Sequence, residues 1–263
     1  MRGLLTLSLF ASAFAVDGFA QEIGGLLKTE EGTDSAPLVD SSVSVEQDGV
    51  VVVEAEDFAT QTRTDVRAFY LTTEERTPDV APDGDPNHAA TAAGGAYLEI
   101  LPDTRRTHDD KLEKGENFIP EPGAAAVLSY PIRIQTPGRY YVWVRAFSTG
   151  TEDNGLHVGL NGKWPESGRR MQWCKGKRTW RWESKQRTAE EHCGEPYRIY
   201  LDIDEPGDHA VLFSMREDGF EFDRFLMTSD RDYVRPEDAG PKPSPKVSVA
   251  EPIEETPPEP GGA

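Results

Sequence analysis

The chain has 263 residues, 47 of them acidic and 28 basic, for a formal net charge of −19. That length holds one sizeable domain or two small ones. Its N-terminal apolar run, Leu4 to Phe14, is too short to be a membrane span.

The run opens on Arg2 and is followed by small residues, the pattern of an export signal over residues 1–20, with cleavage after Ala20 or, alternatively, after Ala15. Export places the protein outside the cell, in the periplasm or at the cell surface. Residues 21–48 carry seven acidic residues and one Lys with few large apolar groups, and read as a disordered acidic linker. A run of strands follows. Val50 to Glu56 is apolar, Ala96–Leu101 and Ala125–Tyr130 are bounded by Gly or Pro, and Arg139–Ala146 is aromatic and β-branched after a Pro137-Gly138 turn. Gly155–Leu160, Tyr197–Ile203, His209–Arg216 after Pro206-Gly207, and Phe220–Met227 complete the series. No long segment keeps a helical period apart from weak hints near 186–193. Many short strands with such turns predict an all-β antiparallel sandwich over residues 49–230. From 231 to 263 the chain becomes Pro-rich and acidic and reads as a disordered tail.

One stretch departs from the acidic background. Lys163 to Arg187 holds four of the five tryptophans (Trp164, Trp173, Trp180 and Trp182) and nine Lys or Arg against two Glu. Aromatic faces interleaved with cations suit a planar or ring-shaped anionic ligand, either nucleic acid or an acidic sugar. The export signal argues against nucleic acid. Two cysteines in an exported chain read as one disulfide, Cys174–Cys193, with two free buried thiols as the alternative. The bridge would close a loop of about 19 residues and stabilise by roughly 3 kcal/mol. Trp143 lies mid-strand and reads as core. Trp180 and Trp182 alternate onto one face, which is either ligand-facing or core.

Three stretches occur in a telling order: Val53-Glu54-Ala55-Glu56-Asp57-Phe58, then Thr136-Pro137-Gly138-Arg139-Tyr140-Tyr141-Val142-Trp143-Val144-Arg145-Ala146, then Glu205-Pro206-Gly207 to Phe213 with Gly219-Phe220-Glu221-Phe222-Asp223-Arg224-Phe225. The set resembles carbohydrate-binding modules of families 6 and 35, and the related C-terminal module of some xylan-acting glucuronidases, over roughly residues 50–229. The resemblance implies a galactose-binding-like jelly roll, usually with a structural calcium, and a sugar site in loops at one end of the sandwich. It places Glu54, Glu56 and Asp223 at the metal-ligand positions. Calcium takes several hard oxygen ligands, and two Glu two residues apart on a strand share a face; an acidic solvated strand face is the alternative. The resemblance further places Trp180, after Thr179, and Tyr97, after Gly94-Gly95, at the sugar-stacking positions. The position where the family often has a hydroxyl-binding Asn is here Glu221, a departure that puts the usual ligand preference in doubt.

The carbohydrate-binding set is thus Tyr97, Trp173, Arg178, Trp180, Trp182 and Glu221, with Arg169, Arg170 and Lys177 as further cations for a carboxylate or sulfate. Five scattered histidines show no zinc-like spacing, and no Gly-x-Ser-x-Gly is present. An acid/base pair such as Glu99 with Glu221 is open. The leading reading is an exported, non-catalytic module that binds an anionic polysaccharide, a uronate or sulfated glycan. A small polysaccharide lyase or hydrolase on the same sandwich, and an envelope or matrix interaction protein, are the alternatives.

Overall fold

The computed structural model of the protein describes residues 42–248. The expected export signal, the linker up to residue 41 and the tail from residue 249 lie outside the described residues. Strands β1 Ser42–Val45, β2 Val50–Glu54, β3 Thr60–Thr62, β4 Ala68–Thr73, β5 Ala96–Leu101, β6 Val127–Ile134, β7 Gly138–Phe147 and β8 Gly155–Leu160 form the first half. The second half holds β9 Met171–Gln172, β10 Arg181–Glu183, β11 Lys185–Gln186, β12 Glu195–Pro196, β13 Tyr200–Ile203, β14 Gly207–Met215, β15 Glu221–Thr228 and β16 Lys246–Ser248.

They make two sheets. One runs β12-β11-β9-β8-β14-β6-β1-β16 with β3 beside β6; the other runs β10-β7-β15-β5-β4, with β13 on β7 and β2 on β15. Every strand pair except β1–β6 is antiparallel. The fold is the expected all-β jelly-roll sandwich. Alternation sends Val51, Val53, Leu98, Ile100, Val142, Val144, Phe225 and Met227 from the second sheet against Leu128, Tyr130, Ile132, Val158, Val211 and Phe213 of the first, all buried in one core. Tyr130 crosses that core. Its ring meets Phe225 edge-on at 5.0 Å, and its hydroxyl donates to the Ala55 carbonyl at 2.7 Å, so the polar end of a fully buried ring is satisfied.

The folded unit extends beyond residues 49–230 at both ends. β1 pairs with β6 and β16, and Glu46 accepts hydrogen bonds from the Gly49, Gln135 and Thr136 amides. At the other end, Ser244 exchanges hydrogen bonds with Val52, and the Asp238 carbonyl accepts from the Trp182 indole at 3.0 Å. These segments bury little apolar surface of their own, so composition alone reads them as disordered. Their order comes from backbone and carboxylate bonds to distant strands. A second correction concerns Glu56, which the apolar pattern puts on a strand; β2 ends at Glu54, and Ala55–Asp57 form a 3-10 turn.

Cys174 and Cys193 are bridged. His157, on β8, is fully buried, donates from Nε2 to the Ile119 carbonyl at 3.1 Å and accepts the Arg170 amide at Nδ1. Burial pushes its pKa down to about 3. Replacing both cysteines by serine should lower unfolding stability by about 3 kcal/mol in denaturant melts. His157 has a folded pKa below its unfolded value of about 6.5, so its contribution is complete above that pH and is lost as pH falls toward 3. The difference in unfolding free energy between wild type and His157→Gln, followed by denaturant melts from pH 7 to 4, should change by about 1.4 kcal/mol per pH unit, wild type losing stability relative to the variant as pH falls.

Candidate functional site

The side chains of interest lie on the outer face of the seven-stranded sheet, the face turned away from the main core. On β7, Val142, Val144 and Ala146 point inward, so Trp143, Arg145 and Phe147 point outward. On β5 the outward set is Tyr97 and Glu99. A register shift between Phe222 and Arg224 interrupts the alternation of β15, so that Glu221, Asp223, Arg224 and Leu226 lie outside while Phe222, Phe225 and Met227 stay in the core.

Two segments cover this face. Residues 83–95 lie over the start of β15 and the end of β7. There Ala89, Tyr97, Phe147 and Trp180 form a small apolar cluster. Trp180 meets Tyr97 and Phe147 edge-on, each at 5.4 Å, and its indole donates to the Thr91 hydroxyl at 3.1 Å. His88 stacks on Phe147 at 3.8 Å and binds both Glu221 carboxylate oxygens through Nδ1, at 2.8 and 2.9 Å. Gly94 and Gly95 take φ of 65° and 75°, a conformation glycine adopts freely, and so turn the segment into β5. Just before them, the Ala93 amide donates to Asp223 at 2.8 Å.

Residues 233–245 cover the rest. Val52, Trp143, Trp182 and Leu226 pack into a second cluster with Tyr233 against it. Between the Thr179–Trp182 stretch and the second cover opens a cleft of about 230 Å³ lined by Thr179, Trp180, Arg181, Trp182, Arg235, Pro236 and Glu237.

The polar layer below residues 83–95 is dominated by carboxyls. Asp85, Glu99 and Glu221 each bring an oxygen within 4.8 Å of the others. Burial, reinforced by neighbouring acids, pushes Glu99 up to about 9 and Asp103 up to about 8, and raises Glu221 well above the usual carboxylate range. Desolvation lowers the pKa of His88.

Of the sequence-predicted set, Tyr97, Trp180 and Glu221 come together, linked through His88 and Phe147. Tyr97 and Glu221 are sealed, at 2% and 0% exposure, while Trp180 keeps 9% and forms part of the cleft wall. Trp173 and Trp182 are 1% exposed. Trp173 packs edge-on against Phe220 in the main core at 4.9 Å, so it offers no ring face to a ligand. Trp182 is closed over by residues 236–240, leaving only its edge at the cleft. Arg178 is exposed in the loop before Trp180, and its amide donates to the Ser148 carbonyl. The cationic stretch is less free than its composition implies. Arg169 and Arg170 pair with Glu166, Arg181 and Lys185 with Glu183, and Lys177 is half-buried beside Ser148.

The predicted metal set does not fit calcium as it stands. Both Glu54 oxygens are held by Arg224, which donates from Nε at 2.8 Å and also from Nη2. Asp223 accepts from Arg145 on one oxygen and from the Ala93 amide on the other. Two guanidinium groups therefore stand where a dication would need open carboxylates, while Glu56 Oε2 is buried without a hydrogen-bond partner. His88, Asp85 and Phe147 are site residues that sequence reasoning missed. The signal for Asp85 and His88 was the acidic, turn-rich stretch Ala81-Pro82-Asp83-Gly84-Asp85-Pro86-Asn87-His88, and for Phe147 its place directly after the Arg139–Ala146 strand.

No family model matches the chain. It is 56% identical over 220 residues to an uncharacterized protein, P23, of Formosa agariphila, a match covering 83% of this chain and 53% of that protein. The chain thus spans about half the length of that curated relative. Among solved structures it is similar to a family 35 carbohydrate-binding module from Paenibacillus barcinonensis, at TM-score 0.37 and 16% identity over 68% of this chain and 99% of that one. A family 35 module from Clostridium thermocellum matches at TM-score 0.36 and 15% identity, over 68% and 98%. A Paenibacillus xanthan lyase matches at TM-score 0.38 and 15% identity, over 68% of this chain and 13% of the lyase.

The Glu54–Arg224 pair is buried, with side chains 13% and 5% exposed, so removing one partner strands a charge. Glu54→Gln should lower unfolding stability by about 3 kcal/mol, equally in calcium and in chelator, as read from denaturant melts.

Proposed function

We propose that this domain is a carbohydrate-binding module of the family 6 and 35 type, exported from the cell, that grips an anionic polysaccharide. The observation that carries the reading is the cleft beside Trp180. The sequence resemblance assigns ring stacking to a Trp following a Thr, and Thr179 and Trp180 together line an open, sugar-sized cleft. Arg181 and Arg235 also line it, and Arg178 stands exposed nearby. A guanidinium at such a rim suits a carboxylate or sulfate. Glu183 pairs with both Arg181 and Arg235, so a ligand anion would compete with it and the electrostatic part of affinity would be modest.

Burial favours binding over hydrolysis. Glu99 and Glu221 do lie together, but both are sealed beneath residues 83–95, where a glycosidic oxygen has no access. No helix among the described residues is long and apolar enough to cross a membrane.

Affinity gels containing acidic and neutral polysaccharides test the reading. The protein should be retarded by uronate- or sulfate-bearing gels, with retardation falling as salt rises. Arg235→Ala and Arg178→Ala should each weaken binding, together by roughly tenfold, without shifting the thermal midpoint. Equal retardation by neutral gels, or binding indifferent to salt, would remove the anionic assignment. No retardation by any glycan would remove the carbohydrate assignment.

A further inference from the structure

Asp85, Glu99 and Glu221 come from three separate parts of the chain: the covering segment, the middle of β5 and the first residue of β15. Glu99 and Glu221 are direct cross-strand partners, which places two carboxyls side by side, an arrangement that is destabilising when both are ionised and nothing compensates them. Around them the compensation is thin. His88 binds Glu221, and Arg106, itself largely exposed, reaches one Asp85 oxygen at 3.3 Å. Glu99 Oε1 has no hydrogen-bond partner although the residue is 2% exposed, and Asp85 Oδ2 is likewise buried and unpartnered. Buried polar atoms are almost always satisfied, and a lone carboxylate oxygen facing two other carboxyls is a costly exception.

We infer that Asp85, Glu99 and Glu221 form a binding site for a calcium-class divalent cation, fixing residues 83–95 to the outer face of the sheet. The donor set is all hard oxygen, which selects against thiolate- and imidazole-loving metals. Three carboxylates able to bind through one or two oxygens each suit the 6–8 oxygen ligands of calcium. Magnesium, by contrast, keeps most of its waters and uses one or two carboxylates. His88 holds Glu221 by a hydrogen bond to its oxygens, the role a neighbouring group plays in orienting a metal ligand. Through the His88–Phe147 stack, the cation would steady the Tyr97–Trp180 cluster that backs the cleft. The site is distinct from the Glu54, Glu56 and Asp223 set, where arginines occupy the carboxylates. It does not depend on whether the cleft binds sugar.

Terbium luminescence on the full chain tests this, with terbium as the calcium surrogate and the Trp180 and Tyr97 rings as sensitisers. Wild type should give saturable emission that calcium displaces. Glu99→Gln should weaken terbium binding at least tenfold, while Glu56→Gln should leave it unchanged. Chelator should lower the thermal midpoint of wild type by several degrees and leave that of Glu99→Gln unmoved. If Glu99→Gln does not fold, Asp85→Asn, in the covering segment rather than on a strand, makes the same comparison. Emission that calcium does not displace, emission lost in Glu56→Gln but kept in Glu99→Gln, or a wild-type midpoint indifferent to chelator would each overturn the inference.

Discussion

Strand β15 carries the constraint from which the rest of the arrangement follows. It pairs with β7, β5 and β2, every residue from Glu221 to Thr228 is buried, and yet Glu221, Asp223 and Arg224 are among them. Charges buried on a central strand must be matched or they unfold the sheet. Each here finds a partner on a different element: Arg224 on Glu54 of β2, Asp223 on Arg145 of β7, Glu221 on His88 of the covering segment. The break in alternation near Asp223 lets successive charged side chains face outward without disturbing Phe222 and Phe225 in the core.

Those charges also require covers. Residues 83–95 supply the His88 ring and the Ala93 amide. Residues 238–241 supply the carbonyls of Ala239 and Pro241 to Arg224 and that of Asp238 to Trp182. The outer face is therefore neither a solvated sheet face nor an open aromatic platform. What is left open is the cleft between residues 179–182 and the C-terminal cover, with Trp180 on one wall and Arg235 on the other. Ligand recognition, on this account, occurs where the C-terminal cover meets residues 179–182, while residues 83–95 back Trp180 through Ala89 and Thr91.

Much of the sandwich was legible in the sequence because β5, β7, β8, β14 and β15 are rich in β-branched, aromatic and aliphatic residues, with Gly or Pro turns nearby. β1 and β16 were not, since Ser42–Val45 and Lys246–Ser248 sit in acidic or Pro-rich surroundings and owe their order to partners far away in sequence. The same long-range pairing explains Trp182. Its alternation with Trp180 was readable, but its burial depends on residues 236–240, which composition assigns to a disordered tail. Tyr97, Trp180 and Glu221 were found through resemblance to a family, whereas Asp85 and His88 lie in a turn-rich loop where no period marks a residue as buried. The cations of residues 163–187 misled because a sequence shows charge but not pairing, and Glu166 and Glu183 engage four of the nine.

The central claim is that an anionic sugar meets this protein at the Trp180 wall of the cleft. The five tryptophans give five indole N–H signals in a nitrogen–proton correlation spectrum, and their environments differ: Trp143 and Trp173 lie in packed clusters away from the opening, while Trp180 and Trp182 line it. Titration with an acidic oligosaccharide should shift the Trp180 indole signal progressively, with the Trp173 and Trp143 signals unmoved. A saturable binding event that leaves the Trp180 signal in place would contradict the account.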